Sequence, residues 1–385
     1  MKRLTGRYYT SGNSDELVKA FIPLPLPPEP PLEIDVGLRI LMDEALLALG
    51  RLDSASLFLP DVSLFLYLYV RKEAVLSSQI EGIQSSLSDL LLFELDEIPG
   101  VPLDDVQEVS CYVSALQHGL SRIRGGFPLS LRLIREMHGK LLDSGRGADK
   151  DPGEFRRTQN WIGGTRPGTA HFVPPPVHEM TGCLHAFELF LHDQPVASSP
   201  LIKAGLAHVQ FETIHPFLDG NGRIGRLLIA LLLCTGGILK EPLIYPSLYF
   251  KLHRDEYYER LDKVRTEGDW ESWMAFYAKA IGETANDAVR TIRDLNALIA
   301  HDRTKILSVG RKGPLLLSIH SLFSGYPLQN VKNIALKTGM VPNTVAKALD
   351  ILENLGMIKE VTGKKRNRLY LYKTYFDILD RVGVM

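Results

Sequence analysis

Residues 200–235 carry two apolar helical patterns separated by a glycine-rich loop, and this arrangement narrows what the chain can become. Ile202, Leu206 and Val209 recur at helical spacing before the loop, and Leu227, Leu228, Leu231 and Leu232 do so after it. Between them lies HPFLDGNGRIGR, residues 215–226. Gly220, Gly222 and Gly225 spell the G-x-G-x-x-G of dinucleotide-binding folds, which needs a buried strand ahead of it inside a βαβ unit. Here a helical pattern precedes it and Pro216 follows, and no parallel-sheet pattern occurs elsewhere. The P-loop spacing fails as well, because Arg226 and Leu227 stand where Lys and Ser/Thr are required. The stretch predicts helix, loop and helix rather than a nucleotide-binding sheet.

Alternating strand patterns are scarce in the rest of the chain, so the fold class is mainly α. A helix is marked by Leu38, Leu41, Met42, Ala45 and Leu49, and a second spans about 65–85. Others are expected at 105–124, 130–143, 178–193, 200–214, 222–235, 250–265 and 270–308. Prolines at 23, 25, 27, 28, 30 and 31 make AFIPLPLPPEPPLEI (20–34) an extended strap lying over the domain that follows. NWIGG (160–164) and AHFVPPP (170–176), around the turn TRPGT, read as a small β-hairpin. The tail shows helices at 314–324, 331–338 and 343–355, then two strands around a basic turn, a winged helix–turn–helix pattern. Three regions follow: a proline strap and helical region (1–104), a central domain (105–305) and the winged-helix domain (306–385).

Charge is unevenly distributed along these regions. Residues 311–385 carry 12 Lys+Arg against 5 Asp+Glu, while the remainder carries 32 against 40. That asymmetry points the tail toward a polyanion, through helix 343–355 (Thr344 and Lys347 on its open face) and wing residues Lys364, Lys365, Arg366 and Arg368. Winged helices also serve as protein-contact modules, so DNA and protein both stand as partners for this face. The chain opens on polar residues, its longest apolar run (Leu227 to Cys234) is eight residues, and its three cysteines are scattered. A cytoplasmic protein with no membrane partner is expected.

The 215–226 loop makes chemical sense around a phosphate chain. A helix beginning near Asn221 offers unpaired amides and a positive dipole end, and Gly220 and Gly222 let backbone approach phosphate oxygens. Arg223 and Arg226, three residues apart, project from one helix face as two phosphate clamps. Asp219 can hold the Mg²⁺ (or Mn²⁺) that accompanies a nucleotide triphosphate. His215, four residues upstream, can take a proton from an attacking hydroxyl.

These twelve residues resemble the Fic (Fido) family signature H-x-F-x-[DE]-G-N-G-R-x-x-R, met at His215, Phe217, Asp219, Gly220, Asn221, Gly222, Arg223 and Arg226. The likeness extends through AFIPLPLPP, PGEFRRTQNWIGG, RDEYYERL and GDWESW to the tail. It implies transfer of AMP from ATP onto a Ser, Thr or Tyr hydroxyl of a protein, self-modification included. By the same resemblance His215 is the base, Asp219 the metal ligand, and Gly220, Asn221, Gly222, Arg223 and Arg226 hold phosphates. Phe217 is assigned to core packing, and Tyr257 and Tyr258 match a position beside the adenine. Segment 160–173 resembles the family's flap, which pairs with an extended target segment. Glycine at 222 favours AMP transfer over the phosphate transfer of related toxins with lysine there, while phosphocholine transfer stays open. SSQIEG (77–82) resembles the family's inhibitory pattern, with Ser77, Glu81 and Gly82, which implies that Glu81 pairs with Arg226 and slows the resting enzyme. A nucleotide-sensing DNA regulator, an enzyme that mainly removes AMP, and a homodimer are the other readings compatible with this pattern.

Overall fold

Apolar side chains at helical spacing produce a mainly α architecture in the computed structural model, which describes residues 3–13, 16–57, 62–95, 101–145, 147–364 and 366–381. The first elements differ from expectation. Strands β1 (Gly6–Asn13) and β2 (Glu16–Pro23) pair antiparallel, with Tyr8 opposite Phe21, where no strand was foreseen. The polar opening conceals this hairpin, because only β2 buries apolar side chains, at Ala20, Phe21 and Ile22. The proline-rich chain after it is extended, as its fixed φ angles require. It is anchored by Gln210 Nε2 donating to Leu24 O at 2.9 Å and by Glu33 N donating to Glu271 Oε1 at 2.9 Å.

Helix α1 (Val36–Ser56), capped by Asp35 on Leu38 N at 2.7 Å, packs along the 38-residue α11 (Trp270–Leu307). Helix α2 (Val62–Ile80) runs against α4 (Leu103–Arg124) and α9 (Ser247–Leu252). Short helix α3 (Leu87–Phe93) begins with a capping box between Ser86 and Asp89 and was not anticipated. Helices α5 (Leu131–Leu141) and α6 (Val177–Leu191) lead to α7 (Pro200–Ile214) and α8 (Asn221–Thr235). These last two pack together at the centre, with Leu206, Val209, Ile224, Leu227, Leu228 and Leu231 buried. The single helix expected at 250–265 is broken at His253, whose φ of −113° and ψ of 42° leave the helical region, giving α9 and α10 (Arg254–Glu267).

The hairpin expected around 160–176 contracts to one bridge, between Ile162 and Phe172. Gly163 and Gly164 hold positive φ there, and a Cβ on Gly164 would lie 2.4 Å from Thr169 O. Its exit is flanked by the N-terminal hairpin, with Phe21 N donating to Val173 O at 2.8 Å.

The C-terminal region contains α12 (Gly313–Gly325), β3 (Leu328–Asn330), α13 (Val331–Thr338), α14 (Pro342–Asn354), β4 (Lys359–Glu360), β5 (Leu369–Leu371) and α15 (Lys373–Asp380). Its sheet order is β3-β5-β4. Strand β3, three residues long, is too short to signal itself in sequence, and helix α15 was not expected. Tyr372 OH donates to Asp302 Oδ2 at 2.6 Å and Lys72 Nζ to Arg381 O at 3.1 Å, fixing this region on α11 and α2. Among the described residues no helix is long and apolar enough to cross a membrane.

Candidate functional site

The α7–α8 connection turns sharply because His215 ends α7 in the left-handed conformation, with φ 49° and ψ 58°. A residue with a Cβ holds that region only when its surroundings compel it. Three flanking contacts do so here. Arg156 Nε donates to His215 O at 3.0 Å, Arg156 N to Pro216 O at 2.9 Å and Asn160 Nδ2 to Phe217 O at 2.9 Å. Below the loop, His138 stacks on Phe217 with ring centroids 3.7 Å apart. Gly153 N donates to His138 Nδ1 at 2.9 Å, so Nε2 carries the proton and donates to Asp219 O at 3.0 Å. Arg156, Asn160 and His138 escaped the sequence reading. Arg156 and Asn160 lie in PGEFRRTQNWIGG, which was read only as a family-like segment, and only the fold brings them and His138 under the loop.

His215 has its Nδ1 3.3 Å from Glu212 O, so a proton there leaves the Nε2 lone pair available. Burial pushes this imidazole down to about 4, opposed by the Glu212 carbonyl and reinforced by Arg265 and Arg156. It is therefore neutral near pH 7, the form a general base needs. The Glu212 carboxylate lies 3.9 Å from the same Nδ1, and burial raises it to about 7.

The two arginines face a carboxylate. Arg226 Nη2 donates to Glu81 Oε1 at 2.6 Å, while Arg226 Nε and Nη2 bind Ser77 Oγ and O at 2.7 and 3.0 Å. Arg223 Nε sits 3.0 Å from Glu81 Oε2, and its other nitrogens meet Glu108 at 3.1 Å and Asp219 at 3.2 Å. Burial pushes the Glu81 carboxyl up, but Arg226 and Arg223 outweigh it and hold it below the usual range. Burial lowers Arg226, and Glu81 together with Tyr257, Glu212 and Tyr258 more than offsets this. Glu81 owes its position to the end of α2. Gly82 N donates to Gln79 O and Ile83 N to Ser78 O, a Schellman ending that needs the left-handed φ of 90° at Gly82. Gly222 permits the contact, since its Cβ would lie 2.5 Å from Glu81 Oε1.

Other expected residues are distributed unevenly. Gly220 caps α8 in the left-handed region, with φ 75°. The Asn221 side chain turns inward, accepting from Phe217 N and donating to Phe217 O, both at 2.9 Å, and so braces the loop. Asp219 Oδ1 accepts from Gly220 N at 2.6 Å and meets Arg223. Its Oδ2 faces Gly147, where a Cβ would intrude to 2.5 Å, so this glycine keeps the approach to the carboxylate open. A single carboxylate with an open approach fits a Mg²⁺ ion whose remaining ligands are phosphates and water. Among the described residues no group of three or more His, Cys, Asp or Glu is placed to hold a metal without them. Tyr257 is 1% exposed, with its hydroxyl 2.8 Å from His208 Nε2 and its ring in a cluster with Phe250 and Trp273. Tyr258 beside it is 43% exposed, with the Arg254 guanidinium 5.2 Å from its ring centroid.

A central helical hairpin whose loop joins a neutral histidine to an arginine pair and a glycine-shaped helix start defines a Fic-type fold. Residues 40–121 match the Fic/DOC family N-terminal model and residues 128–233 the Fic/DOC family model. The chain thus contains a Fic/DOC family N-terminal segment followed by a Fic/DOC family domain. It is similar to a protein adenylyltransferase Fic of Drosophila grimshawi, 32% identical over 188 residues, which are 49% of this chain and 36% of that protein. A protein of the same name from Culex quinquefasciatus is 30% identical over 210 residues, 53% of this chain and 39% of that one. The chain thus spans little more than a third of the curated relatives it matches. A Fic family protein from Desulfovibrio desulfuricans shares the fold, with a TM-score of 0.58 and 17% identity over 89% of this chain and 97% of that one. Fic-1 from C. elegans does so with a TM-score of 0.53 and 22% identity, over 67% and 73%.

Proposed function

We propose that this chain is a protein adenylyltransferase, moving AMP from ATP to Ser, Thr or Tyr hydroxyls of proteins, itself included, and that Glu81 restrains it. The observation that carries this reading is the Glu81 carboxylate on Arg226 at the start of α8. A helix N-terminus with two arginines is an anion site, and a carboxylate held there stands in for a phosphate. The printed name of the relatives supports the activity.

In this mechanism His215 Nε2 accepts the proton of the target hydroxyl. The hydroxyl oxygen attacks the α-phosphorus, a P–O bond to it forms, and the bond to the β-phosphate oxygen breaks as pyrophosphate leaves. Arg223, Arg226 and the amides beginning α8 take the negative charge, positioned before the reaction begins. Asp219 would hold Mg²⁺ or Mn²⁺, which supplies further charge neutralisation at the phosphates. Tyr258 would lie beside the adenine. The flap, residues 160–173, would pair with an extended target segment, and its exposed Trp161 is suited to that contact. When Arg226 is engaged by Glu81, the outermost phosphate has no partner there and ATP cannot settle for in-line attack.

The test is Glu81→Gly: faster incorporation of label from α-labelled ATP supports restraint, and equal incorporation in variant and parent sinks it. Net removal of AMP from a modified protein would instead favour the hydrolase reading. A second reading concerns residues 306–385 as a winged helix that contacts DNA. Asn343, Lys347, Lys364, Arg366 and Arg368 are exposed, Thr344 is half-buried, and Val345, Leu349 and Leu352 face the core. Lys365 lies outside the described residues. Duplex DNA binding that weakens steeply with salt tests it, and binding absent at low salt rejects it.

A further inference from the structure

The flap and the catalytic loop are joined by side chains that neither the family signature nor the inhibitory pattern contains. His215, Pro216 and Phe217 follow the end of α7, where helical hydrogen bonds no longer reach. Their three carbonyls all accept from the segment leading into the flap. Arg156 Nε and N serve His215 O and Pro216 O, and Asn160 Nδ2 serves Phe217 O at 2.9 Å while lying 3.4 Å from His215 O. The Asn160 amide can face only one way, because a flipped side chain would set oxygen against two carbonyl oxygens. This orientation leaves its Oδ1 buried without a partner. Phe217 O also accepts from Asn221 Nδ2 at 2.9 Å and His215 O from Arg156 Nε, so both carbonyls keep a donor without Asn160 and its amide adds little to fold stability.

We infer that Asn160, assisted by Arg156, is a positioning residue that holds His215 in its left-handed conformation and ties it to the base of the flap. Asn160 acts through His215 and touches no reacting atom. Asn160 is the first residue of the flap and Trp161 follows it, so a target strand docking there loads the same segment that braces the base. The inference rests on the AMP-transfer reading above.

The test introduces Asn160→Ala and Asn160→Asp into the full chain carrying Glu81→Gly. With the base released, kcat for self-labelling should fall about 10- to 100-fold. The KM for ATP should stay within about twofold, since no phosphate contact is removed. The melting temperature should barely change in Asn160→Ala, which also removes the unpaired oxygen. Asn160→Asp should be the slower variant, because its carboxylate faces carbonyl oxygens. Amide exchange over 215–222 should quicken in both. Unchanged kcat, or a loss matched by lower melting temperature and higher KM, overturns the assignment. If Glu81→Gly with Asn160 intact transfers no AMP, the adenylyltransferase reading fails on its own. Exchange then decides the clamp: faster exchange over 215–222 sustains it and unchanged exchange overturns it.

Discussion

Replacing Glu81 is the perturbation whose size the structure sets most directly. Its carboxylate makes one hydrogen bond to Arg226 at 2.6 Å and an ion pair to Arg223 at 3.0 Å. A hydrogen bond to a charged group contributes about 1.5–3 kcal/mol net. The Glu81 side chain is 24% exposed, so solvent weakens the second contact, and the first is the better measure of what ATP must displace. At about 1.4 kcal/mol per factor of ten, the restrained state outweighs the open one by about 10- to 100-fold. Glu81→Gly should therefore raise the initial rate of label incorporation from α-labelled ATP by about that factor. Glu81→Gln keeps an acceptor but loses the charge and should fall between the two. Without nucleotide, Glu81→Gly leaves the buried Arg226 on Ser77 without the Glu81 carboxylate, so its melting temperature should drop, and pyrophosphate should restore it. Equal incorporation by parent and Glu81→Gly would refute the reasoning, as would a melting temperature indifferent to both the substitution and pyrophosphate.

His215→Ala should reduce transfer by about 10²- to 10⁴-fold while nucleotide affinity by calorimetry is retained, and joint loss of both would count against a base. Glu212 holds its proton to about pH 7 in the folded state but only to the ordinary carboxyl range when unfolded, so its stabilising contribution fades as pH rises through that interval. Glu212→Gln should flatten the fall in urea stability between about pH 4.5 and 7, and an unchanged fall would contradict the burial argument. Gly147→Ala would bring a Cβ to 2.5 Å from Asp219 Oδ2 and should raise the Mg²⁺ concentration needed for half-maximal transfer about tenfold, a shift absent if Asp219 holds no metal.

How far the sequence foretold this arrangement depended on whether a residue's reason was local. Gly220, Gly222, Arg223 and Arg226 are legible because helix geometry fixes their relation within two turns. The α7 and α8 patterns are equally local, and their ends fell within a residue of expectation. Glu81 and Arg226 meet across 145 residues, which only the family's inhibitory pattern suggested. His138, Arg156 and Asn160 were not singled out, because their hydrogen-bond partners are backbone groups that carry no mark in sequence. The β1–β2 hairpin was hidden because its exposed strand leaves Tyr8 open to solvent and buries little. Asn221 reads as a phosphate ligand beside two glycines, and its hydrogen bonds to the carbonyl and amide of Phe217 carry no mark in sequence.

Intact-protein and peptide mass spectrometry after incubation with ATP and Mg²⁺ tests the central claim, using the full chain as parent, Glu81→Gly, and Glu81→Gly with His215→Ala. Glu81→Gly should gain one AMP on a Ser, Thr or Tyr, the parent should gain much less, and the double variant none. An adduct that survives loss of His215, or no adduct in a Glu81→Gly protein that binds ATP, would contradict the account.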